Sequence, residues 1–203
     1  MAIPVTVIDY KAGNLTSVVK ALRHLGTEVT VADGPEGLNS AERIVLPGVG
    51  HFAATHRLDL TGLTPAIHEA INRGLPFLGI CVGMQWLYAG STEAPDQPGL
   101  GHFPETVEHF PDGEEKVPHV GWNQITPSPA SRLLAGVEKG EFVYFTHSWR
   151  APITASTAAT TEYILPFASA VESGSVFGVQ FHPEKSGETG LKILRNFLEF
   201  APC

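Results

Sequence analysis

Cysteine is scarce in this sequence: only Cys81, in the interior, and Cys203, the last of 203 residues, are present. Two cysteines cannot build the disulfide framework on which small secreted domains depend. We therefore expect a reducing, cytoplasmic setting. Cys203 is expected to be an exposed terminal thiol without a role, because chain ends are commonly poorly ordered.

Runs of positive charge are also missing. The formal net charge is -8, and the 13 Lys and Arg residues form no cluster along the chain. Proteins that bind nucleic acid or an anionic membrane surface need a concentrated basic patch. We therefore expect neither partner, and a small-molecule substrate or a protein partner fits this charge better.

Long apolar runs and metal-ligand spacings are absent as well. No segment approaches the ~20 apolar residues of a membrane-spanning helix. The apolar stretch 3–8 is not preceded by basic residues, so it is interpreted as a strand and not as a signal peptide. The nine histidines show no His-x-x-x-His spacing, and no Cys-x-x-Cys occurs. We expect no bound metal and no cofactor.

Strands and helices alternate in the first ninety residues. Strand-like runs lie at 3–9, 28–32, 43–47 and 76–80, and helical periodicity follows Asn14 and covers 65–73. This alternation is typical of an α/β fold with a mostly parallel central sheet and helices on both faces. We predict one domain spanning residues 1–203.

The C-terminal half has a different composition. After Ala89, prolines and glycines interrupt short β-like runs, which predicts a section rich in loops and antiparallel hairpins. Strands are expected at 141–149, 168–173 and 176–181. The spacing of apolar residues over 187–200 predicts a closing amphipathic helix.

Cys81 directly follows the apolar run 76–80, with Gly79 and Gly83 two residues to either side. This G-x-C-x-G pattern is the thiol counterpart of the nucleophile elbow, in which the glycines allow a strained strand-to-helix turn that presents a nucleophile beside backbone N–H groups. A helix N-terminus at this point would favour the thiolate. The alternative is a buried cysteine without a function, as free cysteines often are.

A second pattern supplies the groups that a thiol nucleophile needs. The run ending at Phe181 is followed by His182, Pro183 and Glu184, and side chains at i and i+2 of an extended segment point the same way. A histidine oriented by a carboxylate can act as a general base. A surface histidine and glutamate beside a proline turn is the alternative.

Four further segments carry a resemblance to a known family. They are 9–15 (DYKAGNL), 47–50 (PGVG), 118–123 (PHVGWN) and 181–187 (FHPEKSG). Together with Cys81 they make nearly the whole chain similar to the class I, triad-type glutamine amidotransferases. More narrowly, the chain resembles the glutaminase subunits of imidazole glycerol phosphate synthase, which act in histidine biosynthesis.

The resemblance implies a Cys81–His182–Glu184 triad that hydrolyses glutamine to glutamate and ammonia. Backbone N–H groups of Val82 and Gly50 would stabilise the oxyanion. The substrate contacts implied by the family are Val49, Gln85, Glu93, His147 and Ser148. Among these, Glu93 would contact the substrate α-amino group, while His147 and Ser148 would offer backbone groups to its carboxylate.

Ammonia made for synthesis is lost to protonation in water, so a second active site must receive it directly. The resemblance implies a heterodimer with a (β/α)8-barrel cyclase, which forms imidazole glycerol phosphate and a purine-precursor ribonucleotide (AICAR). Candidate interface residues are Lys11, Asn14, His119, Trp122, Asn123 and Lys185. For Trp122, a place in the core is the alternative.

Other functions remain possible from the sequence alone. The nearest is the glutaminase subunit of pyridoxal 5′-phosphate synthase, against which the segment 118–123 and Lys185 argue. A cysteine hydrolase or redox sensor of similar fold would need neither His182 nor Glu184, and an inactive scaffold subunit would not need the triad. We also expect the glycine-flanked loop 47–50 to rearrange when the partner binds.

Overall fold

A computed structural model describes residues 3–113 and 115–201. Cys203, for which no role is predicted, lies outside the described residues. The strands are β1 (Pro4–Ile8), β2 (Glu28–Ala32), β3 (Ile44–Gly48), β4 (Phe77–Cys81), β5 (Tyr88–Ser91), β6 (Phe103–His109), β7 (His119–Gln124), β8 (Thr126–Pro127), β9 (Phe142–His147), β10 (Trp149–Arg150), β11 (Thr157–Tyr163), β12 (Leu165–Ser173) and β13 (Val176–Val179). The helices are α1 (Leu15–His24), α2 (His56–Leu60), α3 (Leu63–Asn72), α4 (Val82–Gln85) and α5 (Gly187–Glu199), with single 3-10 turns at Pro35–Leu38, Phe52–Thr55 and Pro183–Lys185.

Eight strands form the central sheet in the order β2-β1-β3-β4-β13-β12-β11-β8. The pairs from β2 to β13 are all parallel. From β13 to β8 the pairs are antiparallel. The predicted α/β class, with a mostly parallel sheet and an antiparallel section in the C-terminal half, is confirmed.

Apolar side chains cover both faces of this sheet. Along β3, Val45 belongs to one buried cluster, while Ile44 and Leu46 belong to the other, because successive side chains of a strand point to opposite faces. Helices α1 and α5 contribute to the first cluster and α3 to the second. The helices therefore lie on both sides of the sheet, as predicted.

Two small sheets complete the C-terminal half, one in the order β10-β6-β5 and the other formed by the antiparallel pair β7 and β9. Val120, Trp122 and Phe142 are exposed in the second pair. The alternate residues, among them His119 and Phe145, are buried. This pair therefore presents one apolar face outward and packs the other inward.

The boundaries follow the sequence patterns closely. The helix predicted over 65–73 begins two residues earlier, at Leu63, and the last helix ends at Glu199. No helix in the described ranges has both the length and the apolar character needed to cross a membrane. A single domain over residues 1–203 stays a prediction.

Candidate active site

Cys81 ends β4 in a backbone conformation that side-chain-bearing residues rarely adopt. Its φ is 55° and its ψ is -110°, and α4 begins at the next residue. Such strain persists only where the surrounding structure enforces it, and it concentrates at functional sites. Cys81 is only 4% exposed. The predicted strand-to-helix turn is present, with the strain located on the cysteine itself.

The two glycines of the pattern have a different role from the one expected. Neither Gly79 nor Gly83 has a positive φ, so they do not supply the strained turn. A Cβ on Gly79 would lie 2.4 Å from the Gly83 carbonyl oxygen, and one on Gly83 would lie 1.9 Å from the Leu46 carbonyl oxygen. The glycines therefore allow α4 to lie directly against β3 and β4.

The helix dipole expected to favour the thiolate is small in this structure. α4 contains only four residues, and a macrodipole is the sum of aligned peptide units. Charge stabilisation at the sulfur must come mainly from side chains and from individual backbone N–H groups.

His182 and Glu184 form a buried pair. The Nδ1–H of His182 donates to Glu184 Oε1 over 2.8 Å, and both side chains are fully buried. The expected route to this contact, side chains on one side of an extended segment, is wrong. His182 is extended, but Glu184 lies in the 3-10 turn Pro183–Lys185, which folds the carboxylate back towards the ring.

The surroundings of this pair favour a protonated His182 ring and an ionised Glu184 carboxylate. Burial by itself would lower the pKa of His182, but hydrogen bonding and charge from Cys81 and Glu184 outweigh it and raise that pKa to about 9. Burial would raise the pKa of Glu184, yet the interactions with His182 and Asn14 hold it below its usual value. His182 Nε2 makes no hydrogen bond of ordinary geometry. Nδ1 of the ring is occupied by Glu184, and Cys81 is the first of the neighbours that raise the pKa of His182, so the sulfur lies on the Nε2 side of the ring.

A cavity of about 270 Å³ opens beside the sulfur of Cys81. It brings together Cys81 and all the residues predicted to stabilise the oxyanion or to bind the substrate. His182 and Glu184 are not part of its lining. The lining consists of Val49, Gly50, Cys81, Val82, Gln85, Glu93, Pro118, Thr146, His147, Ser148 and Trp149. Three of these, Pro118, Thr146 and Trp149, were not singled out from the sequence as substrate contacts. They flank predicted residues and could have been found by following the same strands.

The loop 47–50 borders this cavity. The Val49 N–H donates to the Ala12 carbonyl oxygen over 3.3 Å, so it is not free to bind an oxyanion. Gly50 has a φ of 90°, a conformation open to glycine at little cost. The N–H of Gly50, the predicted second oxyanion donor, has no backbone partner in this structure.

Glu93 supports the segment that follows this loop. Its Oε2 accepts a hydrogen bond from the Phe52 N–H over 2.8 Å. The carboxylate thus lines the cavity and at the same time anchors the 3-10 turn Phe52–Thr55. It brings an acidic group to the cavity wall, as a ligand with an amino group requires.

Two hydrogen-bonded side-chain amides, those of Gln85 and Gln180, connect the Trp149 carbonyl group to the sulfur of Cys81. Gln85 Nε2 donates to the Trp149 carbonyl oxygen over 3.3 Å and to Gln180 Oε1 over 3.0 Å. Gln180 Nε2 then donates to Cys81 Sγ over 3.6 Å. Gln180 is fully buried and was not assigned a role from the sequence. Its position two residues before His182 was the available signal.

A second polar chain starts at the same carbonyl group. His147 Nδ1–H donates to the Trp149 carbonyl oxygen over 2.8 Å, His147 Nε2 lies 3.0 Å from His119 Nδ1, and Asn123 Nδ2 lies 3.3 Å from His119 Nε2. Burial lowers the pKa of His147 to about 3 and that of His119 to about 4. Both rings are therefore neutral. Nε2 of His147 accepts a hydrogen bond from His119, and Nε2 of His119 accepts one from Asn123.

Two of the predicted interface residues point inward. His119 is only 4% exposed and stacks between Phe145 and Tyr163, so its ring is not available to a partner. Asn14 donates from Nδ2 to Glu184 Oε1 over 2.7 Å. The prediction for His119 is corrected, because its ring is part of the core. Asn14 is half-buried and contacts Glu184, and its place at the interface stays a prediction.

The remaining interface candidates lie at or near the surface. Trp122 is 55% exposed. Lys11 pairs with Asp9 at 2.6 Å and is exposed, and the exposed Lys185 ammonium lies 5.9 Å from the centre of the Tyr144 ring. Asn123 is committed to His119 and to the Glu162 carbonyl oxygen.

Comparison with known proteins gives a consistent result at the level of sequence. The profile of the family described as glutamine amidotransferase class-I matches residues 6–200. An imidazole glycerol phosphate synthase subunit HisH from Chlorobium luteolum is 43% identical, over 96% of this chain and 99% of its own length. Proteins of the same name from Moorella thermoacetica and Methanosarcina acetivorans are each 45% identical, over 97% and 96% of this chain and 94% and 98% of their own.

Solved structures with lower identity share the fold. A crystal structure of a glutamine amidotransferase superimposes with a TM-score of 0.76 at 21% identity, covering 96% of this chain and 97% of that one. A structure of PurLQS from Thermotoga maritima gives a TM-score of 0.75 at 20% identity and covers 98% of both chains.

Proposed function

This chain belongs to the class I glutamine amidotransferase family, and we propose from that membership that Cys81 is the nucleophile with which it hydrolyses glutamine to glutamate and ammonia. Its function is that of the glutamine-hydrolysing subunit of imidazole glycerol phosphate synthase in histidine biosynthesis, as its full-length relatives at 43% and 45% identity indicate. Their names also favour this function over the alternative in pyridoxal 5′-phosphate synthesis.

The observation that carries the proposed mechanism is the 2.8 Å hydrogen bond between His182 Nδ1 and Glu184 Oε1. It fixes the ring so that Nε2 faces Cys81, and it stabilises the positive charge that the ring acquires. The Cys81 thiol transfers its proton to Nε2, and the resulting thiolate attacks the amide carbon of glutamine.

His182 then returns this proton to the departing nitrogen. The tetrahedral intermediate collapses, the carbon–nitrogen bond breaks, and ammonia leaves while a thioester to Cys81 remains. A water molecule, deprotonated by the now neutral His182, attacks the thioester, and glutamate is released with the thiol restored. Since the pKa of His182 is about 9, the proton taken from Cys81 stays on the ring at neutral pH until the departing nitrogen accepts it, which suits His182 as the acid of the first step.

The negative oxygen of the intermediate needs two preorganised donors. We propose the backbone N–H groups of Val82, directly after the nucleophile, and of Gly50. The Val49 N–H is held by the Ala12 carbonyl oxygen, and the glycines at 48 and 50 make a peptide rotation at Val49 sterically easy. We expect this loop to rearrange on partner binding, and the direction of the Val49 carbonyl in crystals of the free and the complexed protein tests it.

The cavity suits glutamine in its charge pattern. We propose that the Glu93 carboxylate binds the α-amino group and that the backbone at His147 and Ser148 binds the α-carboxylate. Gln85 and Val49 line the same cavity, and we assign both to substrate binding, with Val49 in contact with the aliphatic part of the substrate.

The chain acts as the glutamine-hydrolysing part of a complex, and we propose that its partner is a (β/α)8-barrel cyclase in a cytoplasmic heterodimer. The apolar face formed by Val120, Trp122 and Phe142 supports this proposal, because exposed apolar patches mark interaction sites. Lys11 and Lys185 would supply charge at the edge of the contact.

Two measurements test the proposed function. Glutamate release from glutamine should rise strongly when a histidine-pathway cyclase and its ligand are added, and a pyridoxal-pathway barrel should have no effect. The Cys81→Ala variant should release no glutamate, while Cys203→Ala, the matched thiol control, should behave as the unmodified chain. Persistent activity in Cys81→Ala would exclude the nucleophile assignment, and co-purification with the cyclase reports on the partner independently.

A further inference from the structure

The side chain of Gln180 makes a contact that the triad does not explain. Its Nε2 lies 3.6 Å from Cys81 Sγ, on a fully buried residue next to the end of β13. A buried side-chain amide beside a sulfur can present either its N–H₂ group, which stabilises negative charge, or its oxygen, which opposes it. The function of Gln180 therefore depends on which way this amide faces.

The surrounding hydrogen bonds determine the orientation. The Trp149 carbonyl oxygen can only accept, so the group of Gln85 that faces it over 3.3 Å must be the N–H₂. The same Nε2 atom faces Gln180 over 3.0 Å, so Gln180 must present its oxygen there. The remaining end of the Gln180 amide, which faces the sulfur, is then the N–H₂ group.

We propose that Gln180 is a thiolate-stabilising residue, which donates a hydrogen bond from Nε2 to Cys81 Sγ and is held in that orientation by Gln85 and the Trp149 carbonyl group. This inference rests on the proposed role of Cys81 as the nucleophile. The donor acts on the charged form of the sulfur, since hydrogen bonds to an ionised acceptor are about twice as strong as those between neutral groups. Because α4 has only four residues, this donor supplies stabilisation that the helix dipole does not.

Gln180 also differs from the other groups at the sulfur in its position. It does not line the substrate cavity, so a variant that keeps an oxygen for Gln85 should affect the sulfur and leave glutamine binding largely unchanged. The expected signature is a fall in kcat with little change in KM.

The test measures the pH dependence of Cys81 alkylation by iodoacetamide in the whole chain. Gln180→Glu is the sharpest variant, because it keeps the size of the side chain and an oxygen for Gln85 but replaces the donor at the sulfur by an acceptor. Its alkylation midpoint should move to higher pH by about one unit or more, and kcat for glutamate release should fall on the order of tenfold to a hundredfold. Gln180→Met adds no charge but removes both the donor to the sulfur and the acceptor of Gln85. Its alkylation midpoint should show a smaller shift in the same direction.

Ser169→Ala is the matched control. Ser169 is fully buried on the neighbouring strand β12, and its carbonyl oxygen accepts from the Gln180 N–H, but its side chain does not contact the sulfur. Its alkylation midpoint should equal that of the unmodified chain. An unchanged midpoint in folded Gln180→Glu, or an equal shift in Ser169→Ala, overturns the proposal. Alkylation reports on the sulfur without turnover, so its outcome is separate from that of the Cys81→Ala assay.

Discussion

Asn14 and Glu184, 170 residues apart in sequence, are joined by a hydrogen bond of 2.7 Å from Asn14 Nδ2 to Glu184 Oε1. Asn14 immediately precedes α1 in a left-handed conformation with a φ of 63°, and its side chain does not cap the helix. The 3.3 Å contact between Nδ2 and His182 Nδ1 joins two donors once His182 donates to Glu184. The amide therefore acts on the acid and, through it, on the ring.

Replacing this amide should weaken the triad. In Asn14→Leu, Glu184 loses a donor that helps to hold its pKa down, so we expect kcat to fall roughly tenfold to a hundredfold and the acid limb of the pH–rate profile to move to higher pH. Steady-state kinetics of the complex with its cyclase measures both. Asn39→Leu, at an exposed position outside the site, is the control and should leave kcat unchanged. A kcat of Asn14→Leu within about twofold of the unmodified value would contradict the role of Asn14.

The contact of α4 with β3 should not tolerate a methyl group. In Gly83→Ala the added Cβ would lie 1.9 Å from the Leu46 carbonyl oxygen, so the backbone must shift, and we expect a loss of about 1–3 kcal/mol of stability. Gly90→Ala is the matched change, because nothing lies within 3.7 Å of its Cβ. The measurement is the midpoint of urea denaturation of each variant. Equal midpoints for Gly83→Ala and Gly90→Ala would refute close packing of α4 against β3.

Acid should destabilise the fold through the two buried neutral histidines. In the unfolded chain a histidine binds a proton with a pKa of about 6.5, whereas burial lowers the pKa of His119 to about 4 and that of His147 to about 3. Between those values the unfolded state binds more protons, so stability falls as pH decreases from 6.5 towards 4, by a few kcal/mol at about 1.4 kcal/mol per pKa unit.

His182 contributes with the opposite sign. Its pKa of about 9 lies above the unfolded value, so the stability it contributes is complete below pH 6.5 and is lost as pH rises towards 9. Chemical denaturation across pH 4–9 should show a maximum near pH 6.5. The acid limb should be shallower in His119→Phe, which removes one site while keeping a stacking ring. An identical acid limb in that variant would exclude a contribution from His119.

Partner binding should depend on Trp122 more than folding does. The ring is 55% exposed, and exposed aromatic anchors often contribute 1–2 kcal/mol or more to an interface. Trp122→Ala should therefore weaken the complex with the cyclase on the order of tenfold, without a change in denaturation midpoint, as measured by calorimetric titration. Leu60→Ala removes an even more exposed apolar side chain on α2 (73%), and an equal loss of affinity in it would argue against a specific role for Trp122.

Local patterns were sufficient to predict most of the fold. The run at 28–32 and the alternation of strands and helices predicted β2 and the parallel sheet, because strand and helix periods depend on residues close in sequence. The turn at Cys81 and the neighbouring pair His182 and Glu184 were visible for the same reason.

Long-range contacts were not accessible in this way. The inward positions of Asn14 and His119, and the donor from Gln180 to the sulfur, depend on segments separated by 28 to 170 residues. A polar residue near an expected surface carries no local signal that its side chain faces the interior. The glycines at 79 and 83 were noticed but misinterpreted, because a missing Cβ serves close packing as readily as it serves a positive φ.

Trp122 and Thr146 lie on the same face of the pair formed by β7 and β9, because Trp122 pairs with Tyr144 and Val120 pairs with Thr146. Thr146 also lines the cavity. The exposed apolar face is therefore continuous with the cavity wall along β9. A protein bound on this face would touch the same strand that borders the substrate, with no hinge, lid or distant relay between the two.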